Sequence, residues 1–120
     1  MASIIAVDDS ASLREMVRFT LTEAGHNVLD AEDGLAAVEL AKNNLVDLVI
    51  ADVHMPNLDG ISLIKELRAL SGYKYVPILM LTTDSDAGLK QQAASAGATG
   101  WLVKPFSPDR LLMTVNRVLG

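Results

Sequence analysis

Short apolar runs and helical patterns alternate five times along this chain of 120 residues, which limits the folds open to it. Each apolar run predicts a strand buried on both faces. Each following stretch repeats apolar residues every three or four positions, which predicts an amphipathic helix. Five βα units build one parallel sheet with helices on both faces and are too few for an eight-fold barrel. We therefore expect an α/β fold, a doubly wound five-stranded parallel sheet with five helices in the flavodoxin-like order 2-1-3-4-5.

The boundaries of these elements follow from the apolar pattern and from its glycine and proline interruptions. Strands are predicted at residues 3–7, 27–31, 45–51, 78–81 and 100–103. Helices are predicted at residues 11–24, at 35–42, from 59 or 60 to 70, at 87–96 and at 108–119. Gly25 and Gly97 directly follow two of these helices, where glycine is a common C-terminal stop.

Composition narrows the class of protein further. Half of the residues are hydrophobic, but only two Phe, two Tyr and one Trp are present, so the core must be aliphatic. The absence of cysteine excludes disulfides and thiolate metal sites. A net charge of −5 argues against nucleic acid or an anionic membrane as a partner. No apolar run reaches the roughly 20 residues of a membrane span. We expect one cytoplasmic domain over residues 1–120, with no membrane insertion and no output domain.

Chemically active side chains follow four of the five predicted strands. Asp8 and Asp9 follow the first strand, Asp52 ends the third, Thr82 ends the fourth and Lys104 ends the fifth. Parallel strands direct their carboxyl ends to one edge of the sheet, where open α/β folds bind ligands. Some of these residues have ordinary alternatives: a helix cap at Asp9 or Ser10, a strand-end threonine at Thr82 and a solvated surface lysine at Lys104. Their joint occurrence after four strands favours one shared functional site over separate ordinary roles.

A cluster of three carboxylates needs positive charge nearby. Two like charges about 4 Å apart repel by about 4 kcal/mol at an effective dielectric near 20. Lys104 supplies one positive charge, and Mg²⁺, which prefers oxygen ligands, would supply the rest. An aspartate beside Mg²⁺ and a lysine can attack phosphorus and form an acyl phosphate. We therefore expect Asp52 to be a metal-assisted phosphoryl acceptor, with Thr82 donating to the new phosphoryl group.

These residues carry a family resemblance that covers the whole chain. Together they resemble the receiver domain of two-component response regulators, and the motifs are Asp8-Asp9, Asp52, Met55-Pro56-x-x-Asp59-Gly60, Thr82 and Lys104-Pro105-Phe106. The resemblance implies that Asp52 is the phosphoacceptor for a histidine kinase and that Lys104 is the active-site lysine. It implies a Mg²⁺ site made by Asp8, Asp9, Asp52 and the main-chain carbonyl of His54, and a cis peptide between Lys104 and Pro105.

The same resemblance implies residues that switch conformation on phosphorylation and residues that set the lifetime of the phosphoryl group. Thr82 would move toward the phosphoryl group, and Trp101 occupies the position of the family's switch aromatic, although it is bulkier than the usual Tyr or Phe. The alternative for Trp101 is an ordinary half-buried packing residue. His54 and Asp84 match the two positions that flank the phosphoryl group, so we expect them to tune its lifetime; otherwise they are solvent-facing loop residues.

The resemblance extends to stand-alone chemotaxis receivers. It implies a chemotaxis-type histidine kinase and a flagellar motor switch protein as partners, a possible phosphatase, and a monomer. It also implies slow self-hydrolysis rather than turnover as an enzyme. The alternatives are a phosphorelay shuttle, a phosphate sink, or an aspartyl-phosphate phosphatase. The phosphatase is disfavoured because such enzymes carry a second acid two residues after the nucleophile, and this chain has His54 at that position. A nucleotide-binding domain is disfavoured because no glycine-rich phosphate loop occurs.

Overall fold

A computed structural model describes residues 1–83 and 87–120 of the chain. Within these residues, five strands form one parallel sheet in the order β2-β1-β3-β4-β5, which confirms the predicted fold. The strands are β1 (Ser3–Val7), β2 (Asn27–Ala31), β3 (Leu48–Asp52), β4 (Ile78–Thr82) and β5 (Gly100–Val103). The helices are α1 (Ala11–Glu23), α2 (Gly34–Asn43), α3 (Gly60–Arg68), α4 (Ala87–Ala96) and α5 (Pro108–Leu119).

Two apolar clusters cover the two faces of the sheet. Alternate strand residues point to opposite faces, so Ile4 belongs to the cluster that includes α1 and α5, whereas its neighbour Ile5 belongs to the cluster that includes α2, α3 and α4. Val17 of α1 and Leu111 of α5 belong to the first cluster, and Leu63 of α3 belongs to the second. The buried aliphatic strands and the amphipathic helices thus form three layers. None of the helices in the described parts of the chain is long and apolar enough to span a bilayer.

The predicted start of the third strand at residue 45 is wrong. Leu45 is 74% exposed, and β3 begins at Leu48. Asp47 interrupts the apolar run: its N–H donates to the Ser3 carbonyl at 2.7 Å, and its carboxylate accepts from the Ser3 N–H at 2.8 Å. The polar contacts of Asp47 therefore position the start of the strand, although the apolar pattern extends further back.

The end of the third helix also differs from its prediction. α3 ends at Arg68, and Leu70 lies in the following turn. The Arg68 guanidinium donates to the carbonyl oxygens of Tyr73 at 2.8 Å and Val76 at 2.7 Å, and to that of Gly97, after α4, at 2.6 Å. One side chain therefore ties the α3–β4 loop to the C-terminal end of α4. Burial lowers the pKa of Arg68 from its ordinary value.

We expect Arg68→Lys to lower the free energy of unfolding by about 2 kcal/mol, because an ammonium cannot satisfy three carbonyls that lie in different directions. Urea unfolding measures the change. The matched control is Arg117→Lys at an exposed position of α5, expected to stay within about 0.5 kcal/mol of wild type. Equal effects of the two substitutions would contradict the assigned role of Arg68.

Candidate functional site

The structure brings three carboxylates together at the carboxyl edge of the sheet. One carboxylate oxygen from each of Asp8, Asp9 and Asp52 lies within 4.8 Å of the other two. Asp8 and Asp52 are 2% and 5% exposed, whereas Asp9 is exposed. Two of the acids therefore form the floor of the cluster, and the third forms its open side.

Lys104 connects the two buried acids. Its Nζ lies 2.9 Å from Asp52 Oδ2 and 3.2 Å from Asp8 Oδ2, and the lysine side chain is 17% exposed. Burial opposes the charge of Lys104, but the hydrogen bond and the charge of Asp52, with those of Asp8, outweigh burial and raise the pKa of the ammonium. Lys104 therefore remains charged at neutral pH.

The contacts of the Asp8 carboxyl do not offset the cost of burying its charge. Burial is the largest influence and raises the pKa of Asp8, and the charge of Asp52 acts in the same direction. The Ser10 N–H, which donates to Asp8 Oδ1 at 2.8 Å, and the Lys104 ammonium both oppose this shift without cancelling it. A site with excess negative charge and convergent oxygen atoms fits a hard divalent cation.

Local structure explains how each acid is positioned. Asp8 and Asp9 lie between β1 and α1, and Ser10 caps α1 by accepting from the Leu13 N–H, so the capping alternative falls to Ser10 and not to Asp9. Asp52 is the last residue of β3. Gly60 allows α3 to begin close to that strand, because a Cβ there would lie 2.5 Å from the Asp52 carbonyl oxygen.

Thr82 and His54 lie beside this cluster. Thr82 is 3% exposed and ends β4, where its neighbour Leu81 pairs with Asp52. The Lys104 N–H donates to the Thr82 carbonyl at 2.6 Å, which joins the ends of β4 and β5. His54 is exposed, and its N–H lies 3.3 Å from Asp52 Oδ1. The roles predicted for Thr82 and for the His54 carbonyl stay predictions.

Three other predictions concern Trp101, the Lys104–Pro105 peptide and Asp84. Trp101 lies on β5 and is 40% exposed, and Lys90 Nζ of α4 is 5.2 Å from its ring centroid. The Lys104–Pro105 peptide is cis, as predicted. Asp84 lies outside the described residues.

Sequence reasoning missed Arg14, which contacts the site from the first helix. Its Nη1 donates to the Asp8 carbonyl oxygen at 2.7 Å, and its Nε forms an ion pair with Asp30 Oδ2 at 3.2 Å. An arginine on a helix gives no sequence signal for such a contact, because helical spacing predicts only that it faces solvent or a neighbouring element.

Comparison with known proteins identifies the family. A family model described as the response regulator receiver domain matches residues 4–116, and the chain belongs to this family. A chemotaxis protein CheY homolog of Campylobacter jejuni is 40% identical over 119 residues, covering 98% of this chain and 92% of the relative. CheY-3 of Vibrio cholerae is 35% identical over 116 residues, covering 96% and 89% respectively.

Solved structures agree with this assignment. The chemotaxis response regulator CheY4 of Vibrio cholerae superposes with a TM-score of 0.95 at 49% identity, with 98% of each chain covered. The receiver domain of the sensor histidine kinase PA1611 from Pseudomonas aeruginosa has a TM-score of 0.91 at 30% identity, covering 99% of this chain and 98% of that one. That structure contains a magnesium ion coordinated in its active-site cleft. The chain is thus a two-component receiver with chemotaxis relatives.

The raised pKa of Asp8 predicts how stability depends on pH. Folding favours its protonated form, so its favourable contribution is complete at low pH and is lost as pH rises through the raised value. We expect Asp8→Asn to raise the free energy of unfolding at about pH 7 without metal, and the gain to shrink toward about pH 4, near the ordinary Asp value. Urea unfolding at both pH values, with a chelator present, measures it.

The control for this prediction is Asp59→Asn, which makes the same chemical change at an exposed helix N-cap. Asparagine caps helices as well as aspartate, so its effect should stay within about 0.5 kcal/mol at either pH. A lower stability of Asp8→Asn at neutral pH, or a gain that is independent of pH, would contradict the inferred cost of the buried charge.

Proposed function

We propose that this receiver accepts a phosphoryl group on Asp52 from a histidine kinase, with Mg²⁺, and signals through a change of its surface. The observation that carries the proposal is the buried Asp52 carboxylate within the three-acid cluster, with Lys104 Nζ 2.9 Å away. The choice of metal is supported by the similarity of this chain to the PA1611 receiver, whose structure is named for a magnesium ion coordinated in its active-site cleft.

The proposed chemistry uses the chain's own groups for positioning and charge. Asp8, Asp9, Asp52 and the His54 carbonyl would hold Mg²⁺, which neutralises charge on the oxygens of the transferring group. An Asp52 carboxylate oxygen attacks phosphorus, the P–N bond to the kinase histidine breaks, and its electron pair returns to the imidazole. Lys104 stabilises the charge on the phosphoryl oxygens, because its ammonium already lies beside the attacking carboxylate.

The signal would arise from the new charge at Asp52. A phosphoryl group adds about −1.5 to −2 charge and three acceptor oxygens. Thr82 would then move toward it, and Trp101 on the neighbouring β5 would respond. Outside the phosphorylated state, the Lys90 ammonium over the Trp101 ring favours the outward, partly exposed position of the indole.

The partner surface would be the groove formed by α4, β5 and α5. Its exposed apolar side chains include Trp101, Val103 and Met113, and its cations include Lys90, Arg110 and Arg117. In a protein of net charge −5, this local excess of cations fits an acidic segment with apolar anchors. We propose that a flagellar motor switch protein supplies this segment, in line with the chemotaxis names of the relatives.

The remaining features of the proposal follow from this role. The protein would act as a cytoplasmic monomer and would stop at slow self-hydrolysis rather than turn over as a phosphatase. His54 and Asp84 would set the lifetime of the phosphoryl group, and a separate phosphatase could shorten it. His54 supports the absence of turnover, because it stands two residues after Asp52, where aspartyl-phosphate phosphatases carry a second acid.

The acceptor is tested by covalent phosphorylation. We expect the wild type, incubated with Mg²⁺ and a small acyl or amido phosphate, to gain the mass of one phosphoryl group, and Asp52→Asn to gain none. Intact-protein mass spectrometry measures both. Asp59→Asn is the matched control and should react like wild type, because Asp59 serves as the exposed N-cap of α3. Labelling of Asp52→Asn, or dependence on Asp59, would refute the assignment.

The partner is tested by pull-down with and without beryllofluoride and Mg²⁺. We expect a purified motor switch protein to bind only the activated receiver, and Arg110→Glu to weaken that binding about tenfold through charge repulsion. Lys42→Glu, on α2 and outside the groove, makes the same charge change and should bind within about twofold of wild type. Equal binding of the switch protein in both states would contradict the motor role. If a purified histidine phosphotransfer protein, tested in parallel, bound and the switch protein did not, the result would favour a shuttle or sink.

A further inference from the structure

The carboxyl end of β2 contributes no group to the proposed chemistry, yet it contacts both segments that carry the metal-site oxygens. We define the β2 brace as Asp30, Ala31 and Asp33. One segment that it contacts contains Asp8, and the other is the loop that follows β3.

The first contact fixes the main chain of Asp8. The Asp8 N–H donates to the Ala31 carbonyl at 3.2 Å. The Asp8 carbonyl accepts from Arg14 Nη1 at 2.7 Å, and Arg14 Nε is held by Asp30 Oδ2 at 3.2 Å. The Arg14 side chain is 20% exposed, so this bridge is partly shielded from solvent. Both polar groups of the Asp8 backbone therefore depend on β2 for their position.

The second contact fixes the far end of the loop after β3. Asn57 has a φ of 68°, and its Nδ2 donates to Asp33 Oδ2 at 2.8 Å. The other oxygen of Asp33 caps α2 by accepting from the Ala36 N–H at 2.8 Å. Gly34 permits this approach, because a Cβ there would lie 2.5 Å from the Leu58 carbonyl oxygen. The loop is thus tied to the start of α2.

The base of the same loop is tied to β3. The Gly60 N–H donates to the Val53 carbonyl at 2.8 Å, and the His54 N–H lies 3.3 Å from Asp52 Oδ1. The His54 peptide therefore lies between two anchors, one at the base and one at Asn57. Losing the outer anchor would leave the peptide more conformations without removing any metal ligand.

We propose that Arg14 and Asn57 are positioning residues for the Mg²⁺ site, each acting through the β2 brace on one group of ligands. This inference rests on the proposed function. Metal affinity depends on outer-shell contacts that hold the ligands in place, and losing such contacts commonly weakens binding by tenfold or more. These contacts are partly exposed, so the expected loss is about three- to tenfold for each residue.

Arg14→Met distinguishes a positioning role from a purely electrostatic one, because the two roles predict opposite changes in Mg²⁺ affinity. Removing a positive charge near a cation site would tighten Mg²⁺ binding if charge alone acted, whereas loss of the Asp8 carbonyl contact weakens it. We expect weaker binding by isothermal titration calorimetry. Arg18→Met is the control: it removes the same charge one turn along α1, where Arg18 pairs with Glu15, and should not weaken binding.

Asn57→Gly removes the amide but keeps a residue suited to positive φ, without any change of charge. We expect it to weaken Mg²⁺ binding about three- to tenfold. In the metal-free protein, we expect faster hydrogen exchange at the His54 and Leu58 amides, while the midpoint of global urea unfolding stays at that of wild type.

Substitutions of Asp33 provide a rescue test. Both Asp33→Ser and Asp33→Asn remove one charge and keep a capping side chain. Only the asparagine can still pair with Asn57, because its amide N–H can donate to the Asn57 side-chain oxygen once the Asn57 amide group rotates by 180°. We expect Asp33→Asn to bind Mg²⁺ at least about threefold more tightly than Asp33→Ser. In the Asn57→Gly background this difference should vanish.

The outcomes separate this inference from the proposed function. If the wild type neither binds Mg²⁺ nor accepts a phosphoryl group, the proposed function fails. If the wild type does both, but Arg14→Met binds Mg²⁺ as tightly as or more tightly than wild type, the role of Arg14 is wrong. If Asn57→Gly leaves Mg²⁺ affinity unchanged, or Asp33→Asn gives no rescue over Asp33→Ser, the role of Asn57 is wrong.

Discussion

The contact of the Lys104 ammonium with Asp8 and Asp52 is the interaction on which the site depends. Two nearly buried carboxylates and a third beside them would repel strongly without a cation, and an unpaired buried charge is costly. Lys104 contacts both buried acids, yet the pKa of Asp8 remains raised. The fold therefore tolerates an incompletely neutralised cluster, which leaves the site suited to bind a further cation.

The sheet makes this contact possible. Asp8, Asp52 and Lys104 come from the ends of β1, β3 and β5, and the parallel order places those ends along one edge. β4 fills the space between β3 and β5, and the Lys104 N–H bonded to the Thr82 carbonyl couples the last two strands. Any change at Asp52 therefore lies one strand from Thr82 and two strands from Trp101. This short path connects the buried chemistry with the exposed apolar and cationic groove.

The sequence predicted the strands and helices better than the residues at which they end. It predicted the acids of the site better than the residues that hold those acids in place. β3 begins later than predicted because Asp47 contacts Ser3, a pairing that an apolar pattern does not report. The contact between Asp33 and Asn57, which lie 24 residues apart, has no signal in the sequence either. Arg14 was missed for the same reason: its partners are a carbonyl and an acid from other elements, and polar residues on a helix surface share no periodic signature.

By itself, the sequence determined the alternation of strands and helices, the strand order expected of that alternation, and the strand ends that carry Asp8, Asp52, Thr82 and Lys104. The alternation and the strand ends are local properties, because apolar periodicity and chain direction decide them, whereas the strand order is that of the fold class which the alternation indicates. Only the tertiary structure decided which oxygens meet Lys104, across 52 and 96 residues, and which side chains hold Asp8 and the loop after β3 in place. Such contacts depend on packing between distant segments, and no local pattern encodes the distance between two side chains that only the folded sheet brings together.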